Sequence, residues 1–423
     1  MSVTIETDFS ARLLNLGIEA VDPIETERLK RIIAAKEPAS PLLGLSIEEL
    51  LTALGILNSQ GQLTIAGMLL VGKEEIIPQV VPGHSAIYLH MKNDVEYDRR
   101  LNSTKPLLAL LEDFTASVEP HNRIFTLKFG LFHFEISDFP QEVYREALLN
   151  AFTHRDYSIV SPVYLRHFPT RLEVSSPGGF LSDVTPENII GHEPISRNPL
   201  LAAILERIRL VERAGMGVKR MFQILLSYGK EPPVYEAGAD YVRVTIRSGR
   251  ADGKIDEQFA RFVVFCQQEG RELGLADLLL LNWLKRNREI DLSEAKTLLG
   301  RSEKEAHEVL TSMVNRGLLE QFGEKKGRVY RLSKRVYARL RRSITYSPFR
   351  RAESAYAESA IMGYLEEMPV SPEDRFITNE IVRTLLRVSP HQASYILSQL
   401  VKKGKLTLVG KGRSARYYLP PER

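Results

Sequence analysis

Apolar positions along residues 25–75 recur in short runs at helical spacing. Glu25–Ala35 reads as one helix, and Ser46 with Glu49 three residues later is a capping-box pattern opening another. The run Gly67-Met68-Leu69-Leu70-Val71-Gly72-Lys73 imitates a phosphate-binding P-loop. Its intervening residues are bulky and apolar, and Glu74 stands where Ser or Thr should bind magnesium, so it reads as core. From about residue 84 the period changes. Ser85–Met91 is strand-like, Pro106–Val118 helical, and Arg123–Ile136 alternates as two strands turning at Phe129-Gly130. Gln141–Phe152 is a helix with Val143, Ala147, Leu148 and Ala151 on one face. Strands are predicted at Val163–Phe168 and Arg171–Ser175, then a loop rich in Pro, Gly and Asn from Pro177 to Pro199. Helices at Leu200–Leu210 and Val218–Tyr228 and a strand at Tyr241–Arg247 complete this region, and Ser248–Gly253 has the composition of a linker.

The remainder repeats itself. Val309–Leu319 aligns without gaps to Ile396–Leu406, an offset of 87 residues. Each copy is preceded by an apolar helix, a second short helix (Ser293–Leu299; Thr378–Leu386) and a turn with a serine able to cap the next helix, Ser302 or Ser389. Each is followed by a glycine-containing basic hairpin ending in aromatics, Phe322–Tyr330 and Val409–Tyr418. Helix, helix, turn, helix and two-stranded wing is the layout of a winged helix-turn-helix, with Glu303–Arg316 and Pro390–Lys403 as recognition helices.

Composition narrows the class. The chain has 423 residues, 43% hydrophobic and 26% charged, which suits two to four soluble domains and excludes global disorder. No uncharged apolar run approaches the ~18 residues of a transmembrane helix, and the N-terminus lacks the basic and apolar regions of a signal peptide. The single Cys266 excludes a disulfide framework and a zinc site built on several thiolates. A cytoplasmic protein is expected. Charge is unevenly spread: residues 1–250 carry 26 Lys+Arg against 31 Asp+Glu, and residues 251–423 carry 31 against 22. That split points to nucleic acid at the C-terminal half. Double-stranded DNA is the expected partner, contacted through Lys325, Lys326, Arg328, Lys402, Lys403, Lys411, Arg413 and Arg416. The acids Glu303, Glu305 and Glu308 weigh against DNA contact by the first recognition helix, which leaves a protein partner open there.

Three polar segments between 141 and 220 carry candidate chemistry. Glu146, Asn150, Thr153 and His154 share one flank of a helix. A carboxylate one turn before a carboxamide suits a nucleotide triphosphate: the amide oxygen completes a magnesium shell, and the carboxylate polarises a water. Ser176, Gly178 and Gly179 follow a strand and let backbone approach a base or a phosphate. Gly215 and Gly217 open a helix whose N–H groups attract anions, reinforced by Lys219 or Arg220. The bland reading of His154, Arg155 and Asp156 is a hydrogen-bond network fixing the helix end, and of Arg197 and Asn198 a hold on the loop.

Together, Phe139-Pro140, Arg145–Ala151 with His154–Tyr157, Pro177-Gly178-Gly179, Arg197-Asn198-Pro199 and Val211–Gly217 resemble the ATP-binding domain of the GHKL superfamily (gyrase, histidine kinases, MutL). More closely, they resemble a branch of ATP-binding winged-helix transcriptional regulators related to the C-terminal part of a RecG-type helicase. The resemblance covers about 20–250 and implies an α+β multidomain protein: a GHKL-type α/β sandwich followed by two winged helix-turn-helix domains. The corresponding divisions are a helical segment (1–76), the ATP-binding domain (77–250) and winged helices at 255–345 and 352–421. It further implies ATP and Mg2+ as cofactors, Asn150 as magnesium ligand, Glu146 as general base, Gly178 and Gly179 beside adenine, Gly215 and Gly217 at the phosphates, and 181–199 as a lid. Ser176 stands where the superfamily has an adenine-reading Asp. Members often begin with a Schlafen/AlbA-type domain, and this chain is expected to be shorter or differently built.

The resulting expectation is an ATP-binding, DNA-binding transcriptional regulator, with pairing of two chains implied by the superfamily. The alternative is an ATPase in DNA repair or phage defence whose winged helices bind partner proteins or DNA ends. Glu146 is necessary for hydrolysis but not sufficient. No P-loop, nucleophile triad or histidine pair at metal spacing is visible.

Overall fold

The computed structural model describes residues 8–129, 131–211, 215–249, 253–323, 328–340, 351–366, 368, 375–386, 388, 390–410 and 415–420. The chain divides into two compact units, Met1–Arg316 and Gly317–Arg423, and the fold mixes helices with a mixed sheet. Among the described residues, no helix is long and apolar enough to cross a membrane.

The first unit begins with helices α1 (Pro23–Lys36), α2 (Ile47–Leu54), α3 (Ile65–Val71) and α4 (Ile77–Val80). Ser46 and Glu49 form the expected capping box on α2, and Gly55 ends that helix in the left-handed region. The P-loop imitation is α3, a helix with every residue buried. Gly67 is needed there because a Cβ would stand 2.7 Å from the Ile56 carbonyl oxygen.

Next come β1 (Ala86–Met91), β2 (Tyr97–Ser103), α5 (Leu107–Val118), the hairpin β3 (Ile124–Phe129) and β4 (Phe132–Ser137), α6 (Gln141–Thr153), β5 (Val163–Phe168), β6 (Arg171–Pro177), α7 (Pro199–Arg207), α8 (Met216–Ser227), β7 (Val234–Ala237) and β8 (Tyr241–Arg247). Six of these strands form one sheet in the order β2-β1-β5-β6-β8-β7, where only β1 and β5 are parallel. Alternation sets the buried face. Tyr88 lies opposite Leu165, Leu165 opposite Val174, and Val174 opposite Val244. These side chains join α5, α6, α7 and the N-terminal helices in one hydrophobic cluster running from Ala20 to Ile246. The N-terminal segment also caps α7. The side chain of Asn198 makes no cap bond there, and Asp8 Oδ2 accepts from the Leu200 N–H at 2.8 Å.

The first unit closes with α9 (Glu257–Gln268), α10 (Leu275–Leu284), β9 (Ile290–Asp291), α11 (Leu292–Leu299) and α12 (Glu303–Asn315). The second unit comprises β10 (Leu319–Phe322), β11 (Val329–Leu332), α13 (Lys334–Leu340), α14 (Arg351–Glu366), β12 (Phe376–Ile377), α15 (Asn379–Leu386), α16 (Pro390–Lys402), β13 (Thr407–Val409) and β14 (Arg416–Tyr418). The 87-residue offset seen in the sequence recurs in the elements: adding it to the bounds of α11 and α12 gives those of α15 and α16. Buried Ala306, Leu310 and Met313 correspond to buried Ala393, Leu397 and Leu400. Gly317 and Gly404, which turn the chain after these helices, share a φ of 70°. Ser302 and Glu305 build a capping box on α12, which occupies one of that helix's acids.

Buried His84 shows how closely this core is fitted. Its Nε2 donates to the Lys105 carbonyl at 2.8 Å, and Nδ1 has no partner. Burial, with the Arg155 charge nearby, pushes its pKa down to about 4 from an ordinary 6.5. The folded chain keeps this ring neutral while the unfolded chain takes up a proton. Stability is therefore full above pH 6.5 and lost as pH falls towards 4. The thermal midpoint should drop across that window, and His84→Gln should give a shallower slope; an unchanged slope would clear this ring of the effect.

Candidate functional site

Helix α6 places Glu146 and Asn150 one turn apart, as 3.6-residue periodicity requires. Asn150 Nδ2 donates to Glu146 Oε1 at 3.1 Å. The same carboxylate lies against the first turn of α8: a Cβ on Gly217 would stand 1.8 Å from Glu146 Oε1. A side chain at 217 would have to push this carboxylate aside. Gly215, the N-cap of α8, has φ 65°, and Pro194 of the 181–198 loop covers it, 3.2 Å from where a Cβ would lie. Lys219 is half-buried on α8. Arg220 is bound to Glu142 of α6 at 2.9 Å, so it ties the two helices together.

The glycine pair after β6 meets the other end of α6. Gly178 has φ 97°, its N–H donates to the Asp240 carbonyl, and a Cβ there would come within 2.8 Å of Asp156 Cβ. Gly179 admits no side chain either, because the Gly238 carbonyl oxygen would be 2.6 Å away. Ser176 is buried, and its hydroxyl donates to the Ala151 carbonyl at 2.5 Å, anchoring β6 on α6.

Arg155 is fully buried and donates to the carbonyls of Gly83, Asp156, Ile159 and Ser161. Asn198 donates to the Thr153 and Arg155 carbonyls at 2.8 and 2.9 Å. Arg197 reaches the Gly179 carbonyl at 3.0 Å and Asp156 at 3.6 Å. Burial opposes ionisation of Asp156, but the Ser158 hydroxyl and N–H, with Arg197 and Arg155, hold its carboxyl below the usual range. His154 caps the C-terminus of α6 and remains exposed. Desolvation by the surrounding protein, then the Arg197 charge, pushes its pKa down to about 4. A neutral imidazole can accept a hydrogen bond at physiological pH.

All three sequence segments thus converge around α6, except that Glu212, Arg213 and Ala214 lie outside the described residues. Tyr235 was missed in the sequence. Burial, reinforced by the Glu146 carboxylate, raises its phenol pKa, and its hydroxyl lies 3.9 Å from Met221 Sδ on α8. A four-residue strand after Pro232-Pro233 offers too little alternation to flag it. His90, His121 and His167 also gather, the first two stacked at 3.8 Å. Among the described residues, no group of three His, Cys, Asp or Glu side chains is arranged to hold a metal ion.

Of the residues expected at DNA, Lys325, Lys326, Lys411 and Arg413 lie outside the described residues. Lys402 is exposed, Lys403 pairs with Glu358 at 3.0 Å, Arg416 lies over the Phe376 ring at 4.4 Å, and Arg328 is half-buried.

Residues 161–246 match the family described as "Putative ATP-dependent DNA helicase recG C-terminal", and residues 2–86 match a domain family of unknown function. The chain therefore carries an ATPase-like domain. The matched segment holds Ser176, Gly178, Gly179, Gly215, Gly217 and Lys219; Glu146, Asn150 and His154 precede it. No curated protein matches. Among solved structures, the chain is similar to the crystal structure of the DIP2311 protein from Corynebacterium diphtheriae. The identity is 23% and the TM-score 0.67, over 98% of this chain and 70% of that one, a likeness of fold.

Gly217→Ala should push the flexible Glu146 carboxylate off α8, so in denaturant unfolding the effect of Glu146→Ala should differ by about 0.5 kcal/mol or more between the wild-type and Gly217→Ala backgrounds; strictly additive changes would mean that the two residues do not meet.

Proposed function

We propose that residues 77–250 form a GHKL-type sandwich binding ATP with magnesium, and that the two repeated modules are winged helices binding double-stranded DNA. The protein would then be a nucleotide-responsive, DNA-binding transcriptional regulator. The observation that carries the nucleotide reading is the meeting of Glu146 and Asn150 with the first turn of α8 at Gly217. The family match on 161–246 supports it.

The donor set fits the group. Glu146 and Asn150 offer the hard oxygens magnesium prefers, and magnesium usually takes one or two protein ligands together with substrate phosphates. Asn150 would hold magnesium, and the first-turn amides of α8 with Lys219 would receive the phosphates. Bound magnesium neutralises phosphate charge. Glu146 would take the proton of the water attacking the γ-phosphate. Pro194 over Gly215 would exclude bulk water, and Arg197 would hold the lid to Gly179. Gly178 and Gly179 are needed for the backbone's own close approaches, which leaves the adenine edge to other groups around α6.

For DNA, the support is the repeated helix–turn–helix and hairpin arrangement and the exposed cations of the second module. That module is favoured because α16 lacks the acids of α12. A protein partner is the second reading for the first module, favoured by exposed Glu303 and Glu308 on α12.

Asn150→Ala should abolish both nucleotide binding and turnover, whereas Glu146→Ala should abolish turnover alone, measured by calorimetry and phosphate release. Undiminished affinity in Asn150→Ala would end the nucleotide assignment. Neutralising about six phosphates should make DNA affinity fall ~10³-fold or more from low to moderate salt. Lys411→Ala with Arg413→Ala should weaken binding and flatten that salt slope in mobility-shift titrations; an unchanged slope counts against DNA contact by this hairpin.

A further inference from the structure

Helix α8 and the 181–198 loop both end on the α9–α12 helices. Helix α8 is about 18 Å long at 1.5 Å per residue. Its first turn faces Glu146, and its far end is fastened at several points. The Asp256 N–H donates to the Gly229 carbonyl at 2.8 Å. Gly229 lies so close to this start of α9 that a Cβ would come within 2.3 Å of the Asp256 carbonyl oxygen. Lys230, itself buried, donates to the carbonyls of Asp138 and Ser248. From the end of α10, Lys285 pairs with Asp256 at 2.8 Å, and Arg286 pairs with Glu231. Between these ends α8 packs along α10. The lid makes a second link. Pro194 covers Gly215, and three residues earlier Gly191 lies against Gly300 in the turn between α11 and α12, with a Cβ at 191 only 2.4 Å from the Gly300 carbonyl oxygen.

Resting on the nucleotide reading above, we infer that nucleotide binding at the first turn of α8 is relayed through α8 and the lid to the α9–α12 helices, with the Gly229–Glu231 clamp as the joint. The physical reason is rigidity. A hydrogen-bonded helix transmits a shift at one end to the other, and the bonds of the clamp tie that far end to α9 and α10. Phosphate that displaces Glu146 from Gly217 moves the start of α8 relative to α6. The start of α9 and the end of α10 must then follow, because Asp256, Lys285 and Arg286 are bound to that joint. A ligand biases such a relay only by binding one arrangement better than the other, and the contact between Glu146 and Gly217 gives it that difference to act on.

The chain contains a single tryptophan, Trp283, partly exposed on α10, so its emission reports on this helix alone. Full-length protein is titrated with a non-hydrolysable ATP analogue and magnesium, following Trp283 emission and, in parallel, affinity by calorimetry. Wild type should show a saturable emission change at the calorimetric midpoint. Two variants loosen the joint without touching the site: Lys285→Met with Arg286→Ala, and Gly229→Ala, which wedges α8 from α9. Each should keep affinity within about twofold and lose most of the emission change. Should Gly229→Ala fail to fold, the first variant decides alone. A full emission change in the loosened variants, or binding to wild type with no change, overturns the relay while leaving the nucleotide reading intact. No heat of binding in wild type overturns both.

Discussion

The buried guanidinium of Arg155 is the interaction on which the first unit depends. A charge in a dry interior is costly unless its donors are used, and here Nη1 and Nη2 reach the carbonyls of Gly83, Asp156, Ile159 and Ser161, while Nε is left without a partner. Those carbonyls belong to the approach to β1 and the loop between α6 and β5. One side chain therefore fixes where α6 stops, how the chain turns into the central strands, and where Asp156 sits beneath the glycine pair. Burial lowers the pKa of the guanidinium, but Arg starts so high that it stays charged. The site inherits its geometry from this point. Asn198 and Arg197 attach the end of the lid to the same helix terminus, and Ser176 attaches the sheet.

Much of this was legible because it is periodic or punctuated. The bounds of β5 and β8 and the starts of α6 and β6 follow from alternation and helical spacing, and the repeat from plain self-similarity. The flank of Glu146 and Asn150 follows from a four-residue interval. What escaped is non-local or featureless. Strand β2 carries Tyr97, Asp98, Arg99 and Arg100 at exposed positions on a sheet edge, so no apolar alternation betrays it. Strand β7 is four residues long. Nothing in residues 8–10 announces that Asp8 and Ser10 bond the start of α7, nearly two hundred residues away. The histidines at 90 and 167 are partners because β1 and β5 pair in parallel, and His121 reaches them from the turn after α5.

The glycines separate two kinds of motif. Read along the chain, Gly178, Gly179, Gly215 and Gly217 look alike, as residues that let a ligand approach backbone. In space, Gly178 and Gly179 make room for Asp156 and for the Gly238 carbonyl, Gly215 for Pro194, and Gly217 for the Glu146 carboxylate. Gly217 meets the carboxylate proposed as general base, which is why the nucleotide reading turns on that contact.

The duplicated helices carry a consequence for how the two modules diverge. Their buried positions coincide pair by pair, whereas their exposed positions do not: Glu303 and Glu308 correspond to Pro390 and Tyr395. The interior is alike in the two copies, while exposed Glu303 and Glu308 make the outer face of one more acidic than that of the other. The scaffold can present two surfaces of unlike polarity, each free to change without unsettling the helices beneath it.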